Sequence, residues 1–331
     1  MPVSWLEGRR LKRGIRRLSV CLMLVVVAAC DAPGPASTKE IAVQGILSAA
    51  ISEDGTLGVI GSIHHGGNAW DLARGERLYD WNHKSGERTT LRAVALSGDG
   101  RRAVTVEDRN LAVWDTQTGA SLKFWQAGAK ILSIALDQKG DFAAIGQQNN
   151  QAVLFDVNQG AEKRVFAHTA EVYAVAIDAR AERVMTGSDD FSAVVWNAQT
   201  GEPLHRYDWG NQVKTVGLSR DGTLAFAAAQ REKGRIYDLQ SGDVKSVIPL
   251  EYENFTLARF TPDAQQILLG TFRGDVYRFA TADARAMGHW KAASPQPFGP
   301  ASSDAVLDIA QRGGELVSII SNGLLQTFTL Q

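Results

Sequence analysis

The sequence predicts an all-β protein made of seven similar units, each of four short antiparallel strands. Three observations lead there. An aromatic residue followed by an acid or amide recurs at Trp70-Asp71, Trp114-Asp115, Phe155-Asp156, Trp196-Asn197 and Tyr237-Asp238, with Tyr277-Arg278 a less regular sixth, at spacings of 44, 41, 41, 41 and 40 residues. Ser-x-Asp-Gly turns recur upstream of it at 52–55, 97–100 and 219–222, a hairpin signal. No segment sustains a helical period. A repeat of 40–45 residues is the length of one propeller blade, so the expected architecture is a seven-bladed β-propeller over residues 41–331.

The first 29 residues read as an address rather than as structure. Arg9, Arg10, Lys12, Arg13, Arg16 and Arg17 precede twelve mostly apolar residues, Leu18 to Ala29, and Val27-Ala28-Ala29-Cys30 follows. A basic head, a short apolar run and small residues before a cut site make a secretory signal, and the run is shorter than the roughly 20 residues of a spanning helix. Apolar-Ala-Ala-Cys resembles the bacterial lipobox. That resemblance implies cleavage before Cys30, diacylglycerol on its thiol and acylation of the new N-terminus. Asp31 resembles the enterobacterial signal for retention in the inner membrane, which is favoured over the outer one. Residues 30–40, with Pro33, Gly34 and Pro35, are expected to be the lipidated Cys and a flexible tether.

Within each unit an apolar-x-x-apolar-small-apolar run supplies the innermost strand, as in Val172…Val175-Ala176-Ile177 and Val213…Val216-Gly217-Leu218. Small residues suit the place where blades converge. The strand ending in the aromatic-acid pair leads to a Gly turn, as at Thr118-Gly119, Thr200-Gly201 and Ser241-Gly242. The strands are lettered a to d from the axis outward.

These units resemble the WD-repeat propeller family, and unit four carries the fullest set of its motifs. The resemblance implies a structural tetrad of His168, Thr186, Asp190 and Trp196. Glu107-Asp108-Arg109-Asn110 and Gln147-Gln148-Asn149-Asn150 stand at the matching turn of other units, which are expected to lack most of that tetrad. After Tyr277 the chain supplies only strands a (305–310), b (315–321) and c (324–330) of a last blade. The segment 40–45 is therefore expected to pair with 324–330 and close the ring, leaving no open seam.

Charge and cysteine usage change once the signal is set aside. The full chain has 35 basic and 36 acidic residues. Removing residues 1–29 takes six basic residues and one acid, leaving 29 against 35 and a formal net charge of −6. An acidic ring without a basic stripe is a poor nucleic-acid binder. Cys21 leaves with the signal and Cys30 is consumed by lipid, so the ring has no disulfide and relies on its core.

No zinc spacing, G-x-S-x-G elbow or Gly-rich phosphate loop is present, and no cofactor is expected. His64, His65 and His83 fall in turns of one face. They are read as turn residues in preference to metal ligands, because no carboxylate spacing completes a site. Trp81 and Trp125 do not follow the Thr-Gly-Trp spacing of quinone-dependent dehydrogenase propellers and are read as packing between blades. Candidate interaction loops carry Trp209, Tyr252, Phe255, Trp290 and Phe298, with Arg231 and Arg273 in neighbouring turns. Packing is favoured for Trp209, and packing and contact are weighed equally for Trp290.

The reading that follows is a lipid-anchored, periplasm-facing, non-catalytic scaffold for a protein partner as yet unidentified. The alternatives are a propeller enzyme with a quinone, metal or glycan in its central funnel, and an accessory lipoprotein of outer-membrane protein assembly.

Overall fold

The computed structural model describes residues 32–43, 45–62, 66–83, 89–294 and 304–330. Cys30, Asp31, His64, His65 and Phe298 lie outside the described residues. Among those described, every regular element is a strand, and the strands form seven four-stranded antiparallel sheets. Six blades follow the chain directly, spanning 46–81, 93–126, 131–167, 172–208, 213–247 and 255–291. The seventh joins Val306–Arg312, Glu315–Ile320 and Leu324–Thr329 to the N-terminal strand Ser37–Glu40.

The closing strand lies a few residues upstream of its expected place. Ser37 pairs with Thr327 and Glu40 with Leu324, and Ser37 Oγ lies 2.7 Å from Thr327 Oγ1. The apolar residues of the segment 40–45 point elsewhere: Ile41 joins the core between blades seven and one. All four residues of the closing strand are exposed. An outermost strand buries little, so it carries no apolar pattern to announce itself, and Ser-Thr-Lys-Glu serves.

Six of the a–b turns place their fourth residue at positive φ, Gly55, Gly100, Gly140, Ala181, Gly222 and Ala264, and the two-residue turn of blade seven places Gly313 there. In three of them the Ser hydroxyl is held by the Asp two residues on and accepts the N–H five residues on, as at Ser219, Asp221 and Leu224. The glycines of the c–d turns serve a second purpose. Gly119 and Gly160 are at positive φ and their open faces receive Tyr79 and Trp125 from the preceding blade. A Cβ at Gly160 would come within 2.4 Å of the Trp125 ring.

Blade-to-blade stitching follows one pattern. A strand-d side chain donates to a carbonyl at or just beyond the end of strand c in the next blade: Trp81 to Gly119, Trp125 to Val157, Arg164 to Gln199, Ser246 to Thr281, and Trp290 to Thr329. Trp81 and Trp125 are thus packing residues between blades. The aromatic beat also needs one correction. Strand pairing sets Phe279, not Tyr277, in register with Trp196 and Tyr237, since Phe279 faces Ile267 as Trp196 faces Val184. Phe279 is buried, whereas Tyr277 stacks on His289.

Candidate interaction face

The d–a loops and b–c turns share one face. In successive blades the residue leaving strand d donates its N–H to a b–c turn carbonyl: Ala127 to Arg109, His168 to Asn150, Trp209 to Phe191, Ile248 to Gly234 and Ala292 to Gly274. This face is called the loop face.

Under it, the structure brings the four expected tetrad residues of blade four together. His168 Nδ1 lies 2.8 Å from Asp190 Oδ2 and Nε2 lies 2.7 Å from Thr186 Oγ1, while Trp196 Nε1 donates to that hydroxyl at 2.8 Å. A neutral imidazole that donates from Nδ1 and accepts at Nε2 satisfies the whole chain. Burial lowers the pKa of His168, outweighing Asp190. Burial works to raise that of Asp190, yet hydrogen bonds from Ser192, the Thr169 N–H and His168 bring it down to about 2.

Blade two keeps three of these four parts, more than expected. His83 Nε2 lies 2.9 Å from Thr105 Oγ1, and Trp114 Nε1 donates to the same hydroxyl at 2.8 Å. Arg109 stands in the turn where blade four has Asp190. His83 Nδ1 is left buried with no hydrogen-bond partner, and burial lowers its pKa to about 4. His83 is therefore committed to the blade interior. Among the described residues no group of three or more His, Cys, Asp or Glu is placed to hold a metal.

The expected contact residues separate into two groups. Trp209, Phe255 and Trp290 are buried. Phe255 opens strand a of blade six instead of standing in a loop, and Trp290, only 1% exposed, is the next-to-last residue of strand d, with its indole N–H bonded across to blade seven. Trp209 lies beneath the Arg235 guanidinium at 4.2 Å. Tyr252, Arg231 and Arg273 are at the surface, and Tyr252 is 75% exposed.

Two further aromatics join them, Phe191 and Phe272, at 46% and 57% exposure. Among the described residues, the b–c turns of blades two to seven each hold one residue at positive φ, and in blade one Gly66, which opens strand c, is at positive φ. In blades two, three, six and seven it is Asp108, Asn150, Gly274 or Gly323, but it is Phe191 in blade four and Arg231 in blade five. Gly, Asn and Asp tolerate that region, whereas large side chains pay about 1–2 kcal/mol. Tyr252 is likewise at φ 61°. Phe191, Arg231 and Tyr252 thus present three exposed large side chains on one face at backbone positions that cost energy.

Asn254 ties this surface together. Its side-chain oxygen accepts the Arg231 N–H at 3.2 Å, and its carbonyl accepts the Phe272 N–H at 3.2 Å. Lys233 pairs with Glu251 at 2.9 Å beside it. The turns of blades five and six are thus tied to one another through Asn254. In the sequence, the signal for Phe191 is a bulky residue where most other units carry Gly, Asn or Asp.

Residues 160–197 match the family model described as WD domain, G-beta repeat. One segment of the chain is thus similar to a WD repeat. The match covers strand d of blade three and strands a to c of blade four, and with the seven-bladed ring it supports the WD-repeat propeller family for this chain. No curated protein matches the chain. WD-repeat propellers are commonly scaffolds for protein interaction and are typically non-catalytic.

Proposed function

We propose that this WD-repeat ring is a non-catalytic scaffold, lipid-anchored through Cys30 on the periplasm-facing side of a bacterial membrane, that docks a protein on the loop face of blades four and five. Asp31 favours the inner membrane. The basic head, the apolar run and the Ala-Ala-Cys sequence support the anchor. One observation carries the docking site: Phe191, Arg231 and Tyr252 are exposed, strained and held by a ring of fixed blades. Arg and Tyr are preferred anchors of protein interfaces, and a rigid surface loses little entropy when it binds.

Affinity purification of the lipidated protein after in-cell crosslinking tests this, run beside Cys30→Ala and Tyr252→Ala. The expected result is a specific protein recovered with the native chain and depleted with Tyr252→Ala. Recovery of no specific partner, or one indifferent to Tyr252, contradicts the proposal.

A further inference from the structure

The sequence allots eleven residues, 30–40, to the lipidated Cys and tether, but the described chain is already fixed to the ring well before residue 40. Ser37–Glu40 is a strand. Upstream of it, the Pro33 carbonyl accepts the backbone N–H of Lys291 at 3.0 Å, the last residue of strand d in blade six. Three residues of chain reach at most about 11 Å, whereas ten would reach about 35 Å. A lipid on Cys30 therefore has a short leash, and the leash ends at the outer corner of blade six.

The surface at that corner is connected residue by residue. Ala292, next to Lys291, donates its N–H to the Gly274 carbonyl at 2.8 Å. Gly274 follows Phe272 and Arg273 in the b–c turn of blade six. Phe272 is 57% exposed, and Arg273 and Lys291 are also at the surface. Asp275 lies beneath, pairing Lys291 at 2.8 Å and His289 at 2.9 Å. Aromatic and basic side chains are the ones that interfacial helices place in the headgroup region, and Phe272 and Arg273 present both kinds at this corner.

We infer that the blade-six corner, with Phe272 at its tip and Arg273 and Lys291 beside it, rests on the bilayer to which Cys30 is joined. The inference rests on the proposed lipidation of Cys30. The ring is then held on edge, with the docking positions Phe191, Arg231 and Tyr252 opening alongside the membrane. The partner they receive is a protein whose recognised segment lies at the bilayer surface.

The test uses the lipidated full chain reconstituted in phosphatidylglycerol-containing vesicles. The ring has no cysteine of its own, so Phe272→Cys and Gln117→Cys, the latter in a c–d turn, each give one labelling position. Mass spectrometry first establishes whether Cys30 carries diacylglycerol, and its absence overturns the reading beneath the inference. With the lipid present, the label at 272 is expected to be quenched severalfold more by a lipid-borne quencher than the label at 117. Equal quenching at both positions overturns the inference alone. Shielding of the 272 label in native membranes but not in vesicles also overturns it and assigns the corner to a protein.

Discussion

Asp308, in the inner strand of blade seven, accepts the backbone N–H of Ile51 in blade one at 2.6 Å. The same carboxylate oxygen receives Arg259 Nη2 from blade six at 2.7 Å. Three blades therefore meet on one buried side chain at the point where the ring closes. Arg259 also donates to the Ile51 carbonyl at 3.0 Å.

That junction predicts a large effect from a small change. Asp308→Ala leaves the Ile51 N–H without its acceptor and Arg259 with only the Ile51 carbonyl; because Arg259 is partly exposed, the loss is about 2–3 kcal/mol. The double change Asp308→Leu with Arg259→Met removes both charges and is expected to recover part of it. Urea unfolding of the three proteins checks this, and equal stability of the single variant and the native chain contradicts it.

Closure by two chain ends predicts unequal truncations. Removing residues 322–331 takes Leu324–Thr329, the strand between Ser37–Glu40 and Glu315–Ile320, so the closing strand loses its only partner strand. The expected product is protease-sensitive throughout. Removing residues 32–40 takes only an exposed outer strand and the Lys291 contact, and is expected to lower the thermal midpoint by a smaller amount. Limited proteolysis with circular dichroism separates the two, and a folded ring after the C-terminal truncation refutes the closure.

His83 predicts an acid-sensitive step. Burial lowers its pKa to about 4 from an ordinary 6.5. Above pH 6.5 both folded and unfolded states are neutral there. Below it the unfolded chain takes up a proton first, so stability falls between pH 6.5 and about 4, by an order of 2–3 kcal/mol. His83→Gln is expected to flatten that part of the stability profile. Asp190, lowered to about 2, adds a separate loss between pH 4 and 2.

Strain on the loop face predicts a trade between stability and binding. Tyr252→Gly and Phe191→Gly relieve positive φ at a cost in unfolded-chain entropy, so stability is expected to stay level or rise by up to about 1 kcal/mol. Partner recovery falls in both. A loss of stability above about 1 kcal/mol in either variant shows that the side chain serves the fold.

Much of the fold was legible because propeller blades repeat in sequence what they repeat in space. The 41-residue beat, the Ser-x-Asp-Gly turns and the His168 set each report a local geometry that fixes residue type. The closing strand was displaced because Ser37–Glu40 buries nothing and so leaves no pattern. Tyr277 mimics Phe279 in the sequence pattern because an aromatic beside a polar residue reads alike at either register, and only pairing with Ile267 decides. Trp290 and Phe255 could not be told from contact residues, since burial at a strand end depends on the neighbouring blade. Phe272 and the Pro33–Lys291 bond become visible only when the blades are assembled.

The most direct test of the scaffold reading places a photo-crosslinking side chain at Tyr252 in the lipidated protein in living cells, with the same group at Gln240 on a c–d turn as the comparison. The account predicts one discrete protein adduct from position 252, absent from position 240 and weakened by Arg231→Ala. No protein adduct from 252, or the same adducts from both positions, would contradict it.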